Sequence, residues 1–137
     1  MTFIEPPVAS LALLIGRISV AMIYLVSGVH KGIWYNKAVE EFRVARIPMI
    51  GVLLPMTIGL HLIGSICLIL GFFVTESALI LAAFTAIATV KVHQFWRLTG
   101  MQRLIISRVA LANLGVVGGL LILAATGPGR WALASAG

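Results

Sequence analysis

Apolar residues run along the chain in four long blocks, at about 8–29, 49–72, 77–96 and 104–126, separated by short polar intervals. Each block is close to the roughly 20 residues that a helix needs to cross a bilayer. Pro6 and Pro7 stand where the first block begins, a position that suits the first turn of a helix. Pro48 precedes the second block, and Gly127 and Pro128 stop the fourth. The pattern predicts an all-α integral membrane four-helix bundle, a single transmembrane domain over residues 1–137. The interval "NKAVEEFRVARIP" sets Val39, Phe42 and Ile47 among Lys37, Glu40, Glu41, Arg43 and Arg46. It suits a short amphipathic segment on the membrane surface and a solvated, ion-paired loop equally well.

Composition strengthens this picture. Hydrophobic residues make up 61% of the chain and charged residues 10%, with a mean hydropathy of +1.11. A soluble domain is about 45–50% apolar and about 25% charged. The net charge of +6 would suit a nucleic-acid partner in a soluble protein, but here the basic residues flank the apolar blocks. They read as topology signals and headgroup contacts, so the bilayer is the expected partner and nucleic acid is not.

Lys31, Lys37, Arg43 and Arg46 lie in or beside the first interval, and Lys91, Arg97, Arg103 and Arg108 in or beside the third. The second interval, near Thr75 and Glu76, has no Lys or Arg, and the C-terminal stretch has only Arg130. The positive-inside rule then predicts a cytoplasmic first and third interval, with both termini outside. The opening stretch "MTFIEPPVAS" lacks the basic residues of a secretory signal, so the first block is expected to be retained. Cys67, the single cysteine, lies within the second block and reads as a small buried hydrophobe.

Candidate chemistry is sparse. Arg17 sits inside the first block, where an arginine costs about 2.5–3.5 kcal/mol on insertion scales. Counting residues from His30 and Pro48 places Arg17, His61 and Thr85 at similar depth, with Asn113 slightly nearer the cytoplasm. These four residues, one per helix, form the candidate ligand-binding level. No acid lies within a block, so an interior Arg17 would favour an anionic or carbonyl-bearing ligand such as a quinone oxygen or a lipid headgroup. "VHKGIW" and "VHQFW" end the first and third blocks. They set His30, Lys31, Trp34, His93 and Trp96 at one membrane face and hint at two related halves. His30 and His93 also raise the idea of paired haem ligands, but two lone histidines at helix ends are more often interfacial, so haem is disfavoured. Gly115 and Gly119 form a GxxxG, and Ser27 and Gly28 a second small pair, both suited to close helix packing. No triad, phosphate loop or zinc spacing is present, so neither a catalytic residue nor a metal is expected.

With these residues in view, the chain resembles the DoxX family of small bacterial and archaeal membrane proteins. The resemblance runs through Arg17, "SGVHKG" at Ser27, Gly28 and Lys31, "GLHLIGSICLILGFF" at Gly64, Leu70 and Gly71, and "VHQFW". It continues through Asn113, Gly118, Gly119, Gly127, Gly129, Arg130 and Trp131. It implies four spanning helices in a bacterial inner membrane and no haem. The family name comes from a subunit associated with a thiosulfate:quinone oxidoreductase. The resemblance therefore implies an accessory subunit of a larger quinone-linked electron-transfer complex, with no activity of its own. A stand-alone quinone- or lipid-binding protein is the alternative. The family usually has a glutamate at the position of His61, an acid that could neutralise the arginine of the first span; here it is missing.

Overall fold

The computed structural model describes residues 6–132. The expected outward placement of the two chain ends concerns residues outside that range. Five α-helices and one 3-10 turn follow one another: α1 (Pro6–Ile33), α2 (Tyr35–Val44), α3 (Ile50–Leu70), α4 (Val74–Val92), the 3-10 turn Phe95–Arg97, and α5 (Gly100–Thr126). No strand occurs among the described residues. α1, α3, α4 and α5 are each long and apolar enough to cross a membrane. The first interval is helical, as α2. It buries Ala38 and half-buries Val39 and Phe42, while Glu40, Glu41 and Arg43 stay exposed.

α1 packs chiefly on α3, and α4 on α5; the two pairs meet along α3 and α4. Each pair is a long helix, a short helical piece and a second long helix. α3 is the most central, with 33% of its apolar window buried against 11% for α5, so α5 is a peripheral helix. The core gathers Ala21, Tyr24, Leu68, Ala78, Leu81, Leu120 and Leu123. Many large apolar side chains, among them Ile63, Ile87, Leu111, Leu114 and Ile122, are exposed. That distribution is expected where hydrocarbon is the solvent and outward-facing apolar groups need no covering.

The buried line of α1 is Arg17, Ala21, Tyr24 and Gly28, spaced by four, three and four residues. That of α3 is Leu54, Thr57, His61, Gly64 and Leu68. This spacing makes a seam between helices that cross at a shallow angle. Gly28 closes the seam: a Cβ there would lie 2.9 Å from Leu62 Cδ2 and 3.2 Å from His61 Cβ. The other end of the bundle, where α3 turns into α4, is closed by Gly71. Its φ of +77° favours glycine, and its N–H donates to the Cys67 carbonyl at 2.9 Å. A Cβ on Gly71 would lie 2.7 Å from the Ala132 backbone, because the segment after α5 crosses directly over this turn.

Candidate functional site

Arg17 is 2% exposed and faces the bundle. Its Nη1 donates to the Pro128 carbonyl at 2.6 Å, and its Nη2 donates to the Trp131 carbonyl at 2.7 Å and to the Ile69 carbonyl at 3.4 Å. Ile69 belongs to the last turn of α3, where carbonyls have no partner within the helix and carry the negative end of its dipole. The guanidinium therefore ties three segments together: α1, the end of α3 and the stretch after α5. Hydrogen bonds to charged groups contribute about 1.5–3 kcal/mol each. The two short ones are enough to offset an insertion cost of about 2.5–3.5 kcal/mol. Carbonyl oxygens thus do for Arg17 what no acid in the spans does. One atom, Nε, is buried without a partner.

His61 lies elsewhere. Gly28, not Arg17, faces it across the α1–α3 seam. Arg17 and Gly28 are eleven residues apart on one helix, about 16 Å along its axis. The single polar level expected from the sequence is therefore divided. Its depth estimate set the end of the first block level with Pro48, whereas α1 runs on to Ile33 and α2 packs against both α1 and α3.

The other three expected residues fall close together. Tyr24 and Thr85 share a hydrogen bond between their hydroxyls. Asn113 Nδ2 donates to Thr89 Oγ1 at 2.9 Å, and Thr89 Oγ1 donates to the Thr85 carbonyl at 2.7 Å. A polar seam thus runs from α5 through α4 to α1. His61, 5% exposed, abuts this seam edge-to-face on Tyr24, with ring centroids 5.3 Å apart, and on Phe84 at 4.9 Å. Both of its ring nitrogens are buried without a hydrogen-bond partner. The sequence reading missed Tyr24 and Thr89. Tyr24 was findable, since it stands seven residues after Arg17 and four before Gly28 on one helical face. Thr89 had a similar signal, one turn after Thr85.

The residues expected at one membrane face lie at the α2 end of the bundle. His30 stacks edge-to-face on Trp34 with centroids 5.0 Å apart, and Lys31 donates to the Ser27 hydroxyl. His93 ends α4, and Trp96 is exposed in the 3-10 turn, edge-to-face with Phe95. Among the expected packing residues, Gly28 makes the closest approach and Ser27 holds Lys31. Gly119 barely reaches Val20, at 4.0 Å, while Gly115 and Gly118 face open space. One glycine of the α5 GxxxG thus touches α1, while Gly115 and Gly118 are turned away from the rest of the described chain.

The DoxX family model matches residues 12–94, which takes in Arg17, the Gly28–His61 contact and Thr85. The chain belongs to the DoxX family. It is similar to two Escherichia coli relatives. The inner membrane protein YqjF is 28% identical over 120 residues, covering 88% of this chain and 87% of that protein. The inner membrane protein YphA is 28% identical over 121 residues, covering 88% and 86%. No solved structure matches. This DoxX-family chain is an integral membrane protein whose polar interior is divided into an arginine clamp at one end and a tyrosine–threonine–asparagine seam beside an unpartnered histidine.

Proposed function

We propose that this protein is a non-catalytic subunit that docks, through α5, on a larger quinone-linked electron-transfer assembly in a bacterial inner membrane. The observation that carries the docking is the orientation of Gly115 and Gly118. A small-residue face lets another helix approach closely, and Gly115 and Gly118 meet no other helix among the described residues. Leu111 and Leu114 beside it are exposed. The clamp around Arg17 fits the same reading, because its guanidinium is engaged by backbone rather than presented to a substrate. The electron-transfer character of the partner rests on the family resemblance. In this reading the α2 end, with its eight basic residues, faces the cytoplasm. Extraction of the native membrane in mild detergent, size separation and identification of co-migrating chains tests the proposal. Stoichiometric co-migration with a redox complex, weakened by Gly118→Leu, supports it. Migration alone overturns it.

A second reading keeps the protein as a stand-alone quinone- or lipid-binding membrane protein. It is favoured by one observation, the two unpartnered nitrogens of His61. A neutral imidazole at that depth has an N–H to donate to a carbonyl oxygen. The ligand level is then His61, Thr85 and Asn113 with Tyr24, and Arg17 supports it from the end of the bundle.

A further inference from the structure

A cleft of about 240 Å³ opens where α1 meets α2, lined among others by Ser27, His30, Lys31, Trp34, Lys37 and Glu41. Pockets for drug-sized molecules run to about 300–1,000 Å³, so this one suits a small polar group rather than a ring system. Its chemistry is specific. Lys31 is half-buried, and the one acceptor its ammonium finds among the described residues is the uncharged Ser27 hydroxyl. An ammonium has three donors, which leaves two for a ligand. Lys37 adds a second cation to the same cleft. Glu41 brings a carboxylate, and it is not the acid paired with Arg43, which is Glu40. Two cations and a carboxylate that closes no ion pair among the described residues are therefore grouped in a small space.

The rim locates the cleft relative to the membrane. Ile33 and Trp34, at the turn from α1 to α2, are exposed at 65% and 55%, and Tyr35 follows them. Trp and Tyr concentrate where hydrocarbon gives way to headgroups. Below the rim runs the apolar length of α1.

We propose that the α1–α2 cleft binds a phosphate group carrying a neighbouring primary amine, with the phosphate on Lys31 and Lys37 and the ammonium on Glu41. Phosphoethanolamine lipid heads have this chemistry, and so does a soluble aminoalkyl phosphate. The aromatic rim favours the lipid. This site is separate from the docking face on α5.

Native mass spectrometry of the protein, released from nanodiscs of phosphatidylethanolamine, phosphatidylglycerol and phosphatidylcholine in equal parts, tests the assignment. Phosphatidylethanolamine is expected to be retained about fivefold over phosphatidylcholine, the ratio that one modest ion-paired contact sustains. Lys31→Met with Lys37→Met is expected to abolish that retention. Glu41→Gln is expected to keep a lipid bound but to level phosphatidylethanolamine with phosphatidylcholine. Arg46→Met, outside the cleft, serves as the charge control and is expected to change nothing. Equal retention by wild type and the double lysine variant overturns the site, and so does an equal loss in Arg46→Met, which would mean diffuse surface charge. The source is read on the unaltered protein in detergent. Displacement of lipid by millimolar phosphoethanolamine points to the soluble ligand, and persistence points to the lipid. Failure to retain phosphatidylethanolamine and to bind phosphoethanolamine overturns the proposal without any variant.

Discussion

Arg17 and His61 are both buried polar residues, and the structure treats them in opposite ways. Arg17 answers three carbonyls, so its removal strands them. Arg17→Leu is expected to destabilise the fold by about 2–4 kcal/mol, read as a lower midpoint in detergent unfolding. It also releases the segment around Pro128 and Trp131 to limited proteolysis. Arg17→Lys should recover only part of this, because an ammonium lacks the planar fork that spans separate acceptors. His61 answers nothing within the described chain. His61→Phe places a ring of similar shape between Tyr24 and Phe84 and removes two unpaired polar atoms. It is expected to leave stability unchanged or raise it by about 1 kcal/mol. A loss of more than about 1 kcal/mol would instead show that the imidazole holds a partner in the folded membrane protein, as the second functional reading requires.

At the scale of helices, the glycines separate inward packing from outward packing. Gly28 lies against Leu62 and His61, and Gly115 and Gly118 lie against nothing in the described chain. Gly28→Leu is expected to cost about 1–3 kcal/mol by overpacking the α1–α3 seam. Gly115→Leu is expected to leave unfolding of the isolated chain within about 0.5 kcal/mol, as for an exposed position, while weakening assembly in the membrane. A double comparison of unfolding midpoint and native complex size separates the two effects. Equal destabilisation by both substitutions would place α5 in the interior of the bundle and remove its docking face.

For the whole molecule, eight basic residues gather at the α2 end, and Arg17, Glu76 and Arg130 are the described charges toward the opposite one. With Cys67 first replaced by Ser, Glu76→Cys is expected to react with an impermeant thiol reagent in intact cells. Lys37→Cys is expected to react only after the membrane is opened. The reverse pattern would invert the proposed topology, and with it the leaflet that supplies the α1–α2 cleft.

The four spans follow from the sequence alone, because hydrocarbon demands long uninterrupted apolar helices and permits little else. The same rule makes Arg17 conspicuous, since a charge inside a span has to be answered by something. Which groups answer it is a tertiary matter. Pro128 and Trp131 are more than a hundred residues away, and their carbonyls are backbone atoms that every residue carries, so no side-chain pattern points to them. Helical spacing on α1 marks Tyr24 and Gly28 as sharing a face with Arg17. It leaves open how far α1 slides along α3, and that register is what separates Arg17 from His61. The direction of the α5 glycines is likewise undetermined by their spacing. A GxxxG states that some helix approaches closely, and only the packed bundle shows that Gly119 reaches Val20 of α1 while Gly115 and Gly118 face none of their described neighbours.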